Sequence, residues 1–131
     1  MRVFLVEDHD DLRRQLASLY RLEGHEVVEA ADGAEAIRIF DCEAAAIRTF
    51  DIVLLDFNLP HFKGDTVAVE IKRSAESHGV PMPRVIALTG SQDSKVLGRL
   101  QSAEVYEVVI KGGREFDNYE RLKQRIGAVA A

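Results

Sequence analysis

Four short apolar runs, each closed by a polar residue, constrain the fold of this 131-residue chain more than any other feature. Val3-Phe4-Leu5-Val6 runs into Glu7-Asp8, and Ile52-Val53-Leu54-Leu55 runs into Asp56. Val85-Ile86-Ala87-Leu88 ends at Thr89, and Val108-Val109-Ile110 ends at Lys111. The runs are continuous rather than alternating, and three are rich in β-branched residues. Strands buried on both faces have this pattern, as in a parallel sheet covered by helices. Glu26 to Ala30, with Val27 and Val28, is a weaker fifth candidate.

Helical periods separate the runs. Leu12, Leu16, Leu19 and Leu22 form an apolar stripe that Gly24 would stop. Asp32-Gly33 marks a turn, after which Ala34, Ile37, Phe40 and Ala44 predict a second helix running towards Ile47. Gly64 to about Ser77 predicts a third, with Val67, Ala68 and Ile71 inward. Gly79 and Pro81-Met82-Pro83 end it, because proline cannot continue a helix. Ser91 to Ser102 predicts a fourth, and Phe116, Tyr119, Leu122 and Ile126 a fifth. Parallel strands need crossover helices, so the order is β-α repeated, giving an open doubly wound α/β sheet. Ligands bind such sheets outside the carboxyl ends of the strands. Glu7, Asp8, Asp56, Thr89 and Lys111 should therefore converge at one edge.

Composition removes several alternatives. A hydrophobic share of 47% supplies a real core, which argues against disorder. With 17 basic and 22 acidic residues the formal charge is −5, so direct nucleic-acid binding through bulk positive charge is not expected. A single cysteine, Cys42, excludes a disulfide framework, and a packed or half-exposed helix position is expected for it. No apolar run approaches the ~20 residues of a membrane span. The early Glu7-Asp8 does not suit a signal peptide. A cytoplasmic single domain over 1–131, with no visible output domain, is the expectation.

The convergent set carries chemistry. Three carboxylates and one ammonium leave a net of about −2 in a small cleft, a charge that a divalent cation would offset. An all-oxygen set with few protein ligands suits Mg²⁺. Asp56 is then a candidate nucleophile, since carboxylates form acyl phosphates. Phosphoryl transfer needs positioning and charge neutralisation, which Mg²⁺, Lys111 and the Thr89 hydroxyl would supply at the phosphoryl oxygens.

In these features the chain resembles the receiver domains of bacterial two-component response regulators. The resemblance rests on Val6-Glu7-Asp8, on Leu54-Leu55-Asp56-Phe57-Asn58-Leu59-Pro60, on Leu88-Thr89-Gly90 and on Val109-Ile110-Lys111, in order and each after its own strand. It implies a flavodoxin-like five-stranded parallel sheet, order 2-1-3-4-5, with five helices. It implies that Asp56 accepts a phosphoryl group from a histidine kinase or histidine phosphotransfer protein. Mg²⁺ would be held by Asp8, Asp56 and the Asn58 backbone carbonyl, with Glu7 bound through a water. Lys111 would pair with Asp56 and then with the phosphoryl oxygen. Thr89 would move towards the phosphoryl group and shift the face built from the fourth helix, fifth strand and fifth helix. An output protein would read that face, and a homodimer is compatible with it. The domain would be a phosphoacceptor with autodephosphorylation rather than a turnover enzyme.

Three departures from the family pattern fall on the output side. Gly112-Gly113 follows Lys111 in place of a proline, and glycine lacks proline's low cis cost. Val108 occupies the position of the aromatic switch partner, with Tyr106 two residues earlier on the same side of the strand. Glu104-Val105 replaces the Gly-Ala before the fifth strand. Away from that side, the second helix region is a few residues longer than in the family, around Ala44 to Thr49. These departures define a rival reading, a degenerate receiver that binds partners without phosphate. A Mg²⁺-dependent aspartyl phosphatase is a weaker rival, because Asn58 stands where such enzymes carry a second Asp as general acid.

Overall fold

The computed structural model describes residues 1–57, 59, 62–89, 98, 107–110, 120 and 122–127. Five strands form one parallel sheet: β1 (Arg2–Val6), β2 (Glu26–Ala30), β3 (Ile52–Asp56), β4 (Arg84–Thr89) and β5 (Glu107–Ile110). Their spatial order is β2-β1-β3-β4-β5, as expected. Three helices connect the first four strands: α1 (Asp10–Leu22), α2 (Gly33–Ala45) and α3 (Gly64–His78). Residue 98 and residues 120 and 122–127 are also helical, on the two segments expected to form the fourth and fifth helices. The rest of those segments lies outside the described residues.

Strand parity divides the core in two, because successive side chains point to opposite faces. Val3, Leu5, Ile52, Leu54, Ile86 and Leu88 pack with Leu16, Ala17 and Tyr20 of α1 and with Leu122 and Ile126. Phe4, Val6, Val53, Leu55 and Val85 face the other way, onto Ala36, Phe40 and Ala44 of α2 and Val67, Ala68, Ile71 and Ala75 of α3. The uninterrupted apolar runs thus contribute to both clusters.

The helix boundaries follow local chemistry, with corrections to the sequence reading. α1 is capped by His9, whose Nδ1 accepts from Leu12 N at 3.2 Å. Asp10 and Asp11 lie inside the first turn, where carboxylates favour the positive end of the helix dipole. Leu22 is 83% exposed. At 3.6 residues per turn it stands roughly opposite the Leu16–Ala17 midpoint, so the buried stripe is Arg13, Leu16, Ala17 and Tyr20. Asp32 caps α2, its Oδ1 accepting from Glu35 N at 2.7 Å. Cys42 is exposed rather than packed. Gly79 ends α3 in the left-handed conformation, φ 68°. None of these helices is long and apolar enough to cross a membrane.

α2 stops at Ala45, short of Ile47, and the extra residues before β3 form a tight connection. It is held by Arg2, whose guanidinium contacts Glu26 at 2.6 Å, Glu43 at 2.9 Å and the Thr49 carbonyl at 3.3 Å. The same group lies 4.5 Å above the Phe50 ring, which stacks on Phe4 and Phe40. Partial burial opposes the charge on Arg2, but hydrogen bonds to Glu43 and Glu26 outweigh it and raise its pKa.

Two predictions follow from these joints. Ile47 has φ 57° and is 69% exposed, and a β-branched side chain in that region costs about 1–2 kcal/mol. Ile47→Asn should therefore stabilise the domain by about 1 kcal/mol and raise Tm by a few degrees; an unchanged or lower Tm contradicts this. Between α2 and α3, Asp41 Oδ1 accepts from Ser74 Oγ at 2.8 Å and meets His78 Nε2 at 2.9 Å. The Ser74 hydrogen bond, then that of His78, holds the Asp41 carboxyl below its ordinary value. A depressed carboxyl stabilises the fold above its unfolded pKa and loses that contribution as pH falls through the folded one. Asp41→Asn should lower stability at pH 7, and the gap to wild type should close below about pH 4; a pH-independent gap in denaturant titrations would exclude this linkage.

Candidate functional site

The sheet register builds the site. Val6 pairs with both Ala30 and Leu55, so the next residues, Glu7 and Asp56, leave β1 and β3 at one level. Asp56 pairs with Leu88, and Phe57 N donates to Leu88 O at 2.8 Å. Thr89 therefore stands one step further along β4, fully buried, and pairs with Ile110. Lys111 follows Ile110 directly in the sequence. The ends of three adjacent strands, β1, β3 and β4, thus deliver the expected residue types to a single edge.

Carboxyl oxygens of Glu7, Asp8 and Asp56 lie within 4.8 Å of one another. Glu7 and Asp56 are each 2% exposed, whereas Asp8 is open to solvent. Two negative charges at that separation repel by on the order of 3 kcal/mol at an effective dielectric near 20, and less where water reaches them. The fold confines this repulsion rather than relieving it by distance. A hard, oxygen-only donor set with one open side is what Mg²⁺ takes while keeping several waters. The donor chemistry of the site therefore fits the cation.

Backbone contacts fix the loop that carries two of the three acids. Glu7 N donates to Ala30 O at 3.1 Å. Glu7 O accepts from Arg13 Nη1 at 3.0 Å, and Glu7 Oε1 accepts from His9 N at 3.3 Å. On the β3 side, Gly64 N donates to Phe57 O at 3.0 Å and starts α3 directly behind Asp56. A Cβ on Gly64 would stand 2.9 Å from Phe57 Cα and 3.1 Å from Asp56 O, both backbone atoms. Phe62 and Val67 similarly leave no room for a Cβ at Gly33, at the start of α2.

Of the sequence-predicted residues, Glu7, Asp8, Asp56 and Thr89 are placed at this edge. Asn58, Tyr106 and Lys111 lie outside the described residues, and for Val108 only its place on β5 is described. His9, His25 and His78 have hydrogen-bonding roles, with Leu12 N, the Met1 amine and Asp41 respectively. His61 lies outside the described residues. Sequence reasoning missed Arg13, a cation that is only 8% exposed. The available signal was its position: it falls on the same helical face as Leu16, Ala17 and Tyr20, three residues after Asp10.

The family model for the response regulator receiver domain matches residues 3–125. The sensory transduction protein RegX3 of Mycolicibacterium smegmatis is 34% identical over 126 residues, which cover 96% of this chain and 51% of that protein. The CAI-1 autoinducer sensor kinase/phosphatase CqsS of Vibrio cholerae is 28% identical over 84% of this chain and 15% of its own length. The chain thus spans about half or less of these relatives. The response regulator TrrA of Thermotoga maritima, solved in complex with Mg²⁺-BeF, superposes with a TM-score of 0.73 at 27% identity, covering 98% of this chain and 97% of that one.

The contacts at Gly64 make a prediction. Gly64→Ala should force α3 away from the β3 end, costing about 1–3 kcal/mol as overpacking does. A wild-type Tm in the variant would contradict it.

Proposed function

The chain belongs to the receiver-domain family of two-component response regulators, and from that premise we propose that Asp56 is its phosphoacceptor and Glu7, Asp8 and Asp56 its Mg²⁺ site. The observation carrying this reading is the cluster of three carboxylates at the ends of β1 and β3. Receiver domains are phosphoaccepting switches that bind Mg²⁺ at an acidic pocket and act between histidine kinases or phosphotransfer proteins and output domains. The strand register supports the role given to Thr89, and sequence position supports those given to Asn58 and Lys111.

The phosphohistidine N–P bond breaks as an Asp56 carboxylate oxygen bonds to phosphorus, and the released imidazole takes up a proton. Mg²⁺ supplies charge neutralisation on the transferring group. Asp8, being exposed, would hold the cation together with Asp56 and the Asn58 carbonyl, with buried Glu7 acting through water. Lys111, the residue after Ile110 in the sequence, would pair with Asp56 before transfer and with a phosphoryl oxygen afterwards. The Thr89 hydroxyl takes another oxygen. That contact would favour one of two arrangements of the face formed by β5 and the helical segments before and after it. Within residues 1–131 the chain is one receiver domain. Its donor is a phosphohistidine protein on the cytoplasmic side, and its output is a protein contact on the β5 face.

Incubation with a small-molecule phosphodonor and Mg²⁺ should add one phosphoryl group per chain, detected by intact mass. Chelation of the metal, Asp56→Asn and Asp56→Ala should each abolish it. Labelling of the Asp56 variants at the wild-type level would overturn the assignment.

A further inference from the structure

Arg13 is the one arginine of α1 that points inward, and its side chain is only 10% exposed. Its guanidinium faces three acceptors. Nη1 donates to Glu7 O at 3.0 Å and meets Asp10 Oδ1 at 2.7 Å. Nε faces Glu29 Oε1, on β2, at 3.4 Å. Glu7 O belongs to the peptide unit joining Glu7 to Asp8, and the N–H of Glu7 is already tied to Ala30 O. The Glu7 backbone is thereby held from both sides, and with it the direction in which Asp8 leaves the strand.

We propose that Arg13 is a positioning residue for the cation site. Its guanidinium, aimed by Asp10 and Glu29, fixes the peptide from which the Glu7 and Asp8 side chains project. The proposal rests on the reading that these carboxylates take Mg²⁺. Packing alone does not require an arginine here, since the stripe Leu16, Ala17 and Tyr20 would accept an apolar side chain. Charge alone argues against one, because a guanidinium beside a cation site repels the cation. A planar fork that satisfies a carbonyl and two carboxylates on three different segments accounts for the residue type.

The two opposing effects make the test sharp. If Arg13 acts only through its charge, removing it tightens Mg²⁺ binding; if it positions the loop, removing it weakens binding. Mg²⁺ titration by calorimetry, on the wild type and Arg13→Met, reads this directly. Loss of a group that orients metal ligands costs about 10–100-fold in affinity, and a weakening of at least about 10-fold is expected for Arg13→Met. The thermal shift produced by a fixed Mg²⁺ concentration should shrink accordingly. A purely structural role would lower the metal-free Tm and leave that shift intact. Arg13→Lys keeps the charge but cannot reach all three acceptors, and should lose affinity severalfold. It decides the matter if Arg13→Met does not fold.

Equal or tighter Mg²⁺ binding by a folded variant, with the wild type binding normally, overturns the positioning role alone. A wild type that binds no Mg²⁺ overturns the site assignment and this role together.

Discussion

The parallel pairing of β1 with β3 is the constraint on which the rest of the structure depends. Val6 opposite Leu55 sets Glu7 level with Asp56. A slip of one residue would invert the parity of either strand and exchange its inner residues between the two cores. The same register that buries Phe4 and Val53 on one face and Leu5 and Leu54 on the other therefore brings the acids together. Hydrophobic burial supplies the free energy that holds like charges close, and the charges contribute nothing to it themselves.

The two ends of the sheet are built differently. At the amino ends Arg2 joins β1, β2, α2 and the connection into β3 through ion pairs, a carbonyl and an aromatic face. At the carboxyl ends a buried arginine is spent on a loop, and Gly64 brings the start of α3 up against the backbone of Asp56 and Phe57. The first end is organised for cohesion; the second holds carboxylates that repel one another and whose charge a divalent cation would offset. Domains commonly separate stability from function in this way.

Much of this was legible in the sequence, for identifiable reasons. Apolar runs of three or four residues specify strands buried on both faces, and the residues closing the first three runs meet at one edge, because both depend on residue type alone. The sheet order and the meeting of Glu7, Asp8 and Asp56 followed. What failed depended on angle or on partners. Leu22 looked like stripe and is exposed, since one helical turn decides which side it takes. Arg2 was invisible because its acceptors lie on other segments, and no local pattern marks a long-range hydrogen bond. Arg13 showed its spacing from Asp10 and its place on the buried face, but not its acceptors Glu7 O and Glu29.

The division of the interior into two clusters has an evolutionary consequence. Substitutions on the α1 side are screened by the sheet from those on the α2–α3 side, so each half can drift without compensation from the other. Only residues at the strand ends sense both halves. Lineages built on this plan can therefore diversify the two outer faces independently while the chemistry between them stays fixed.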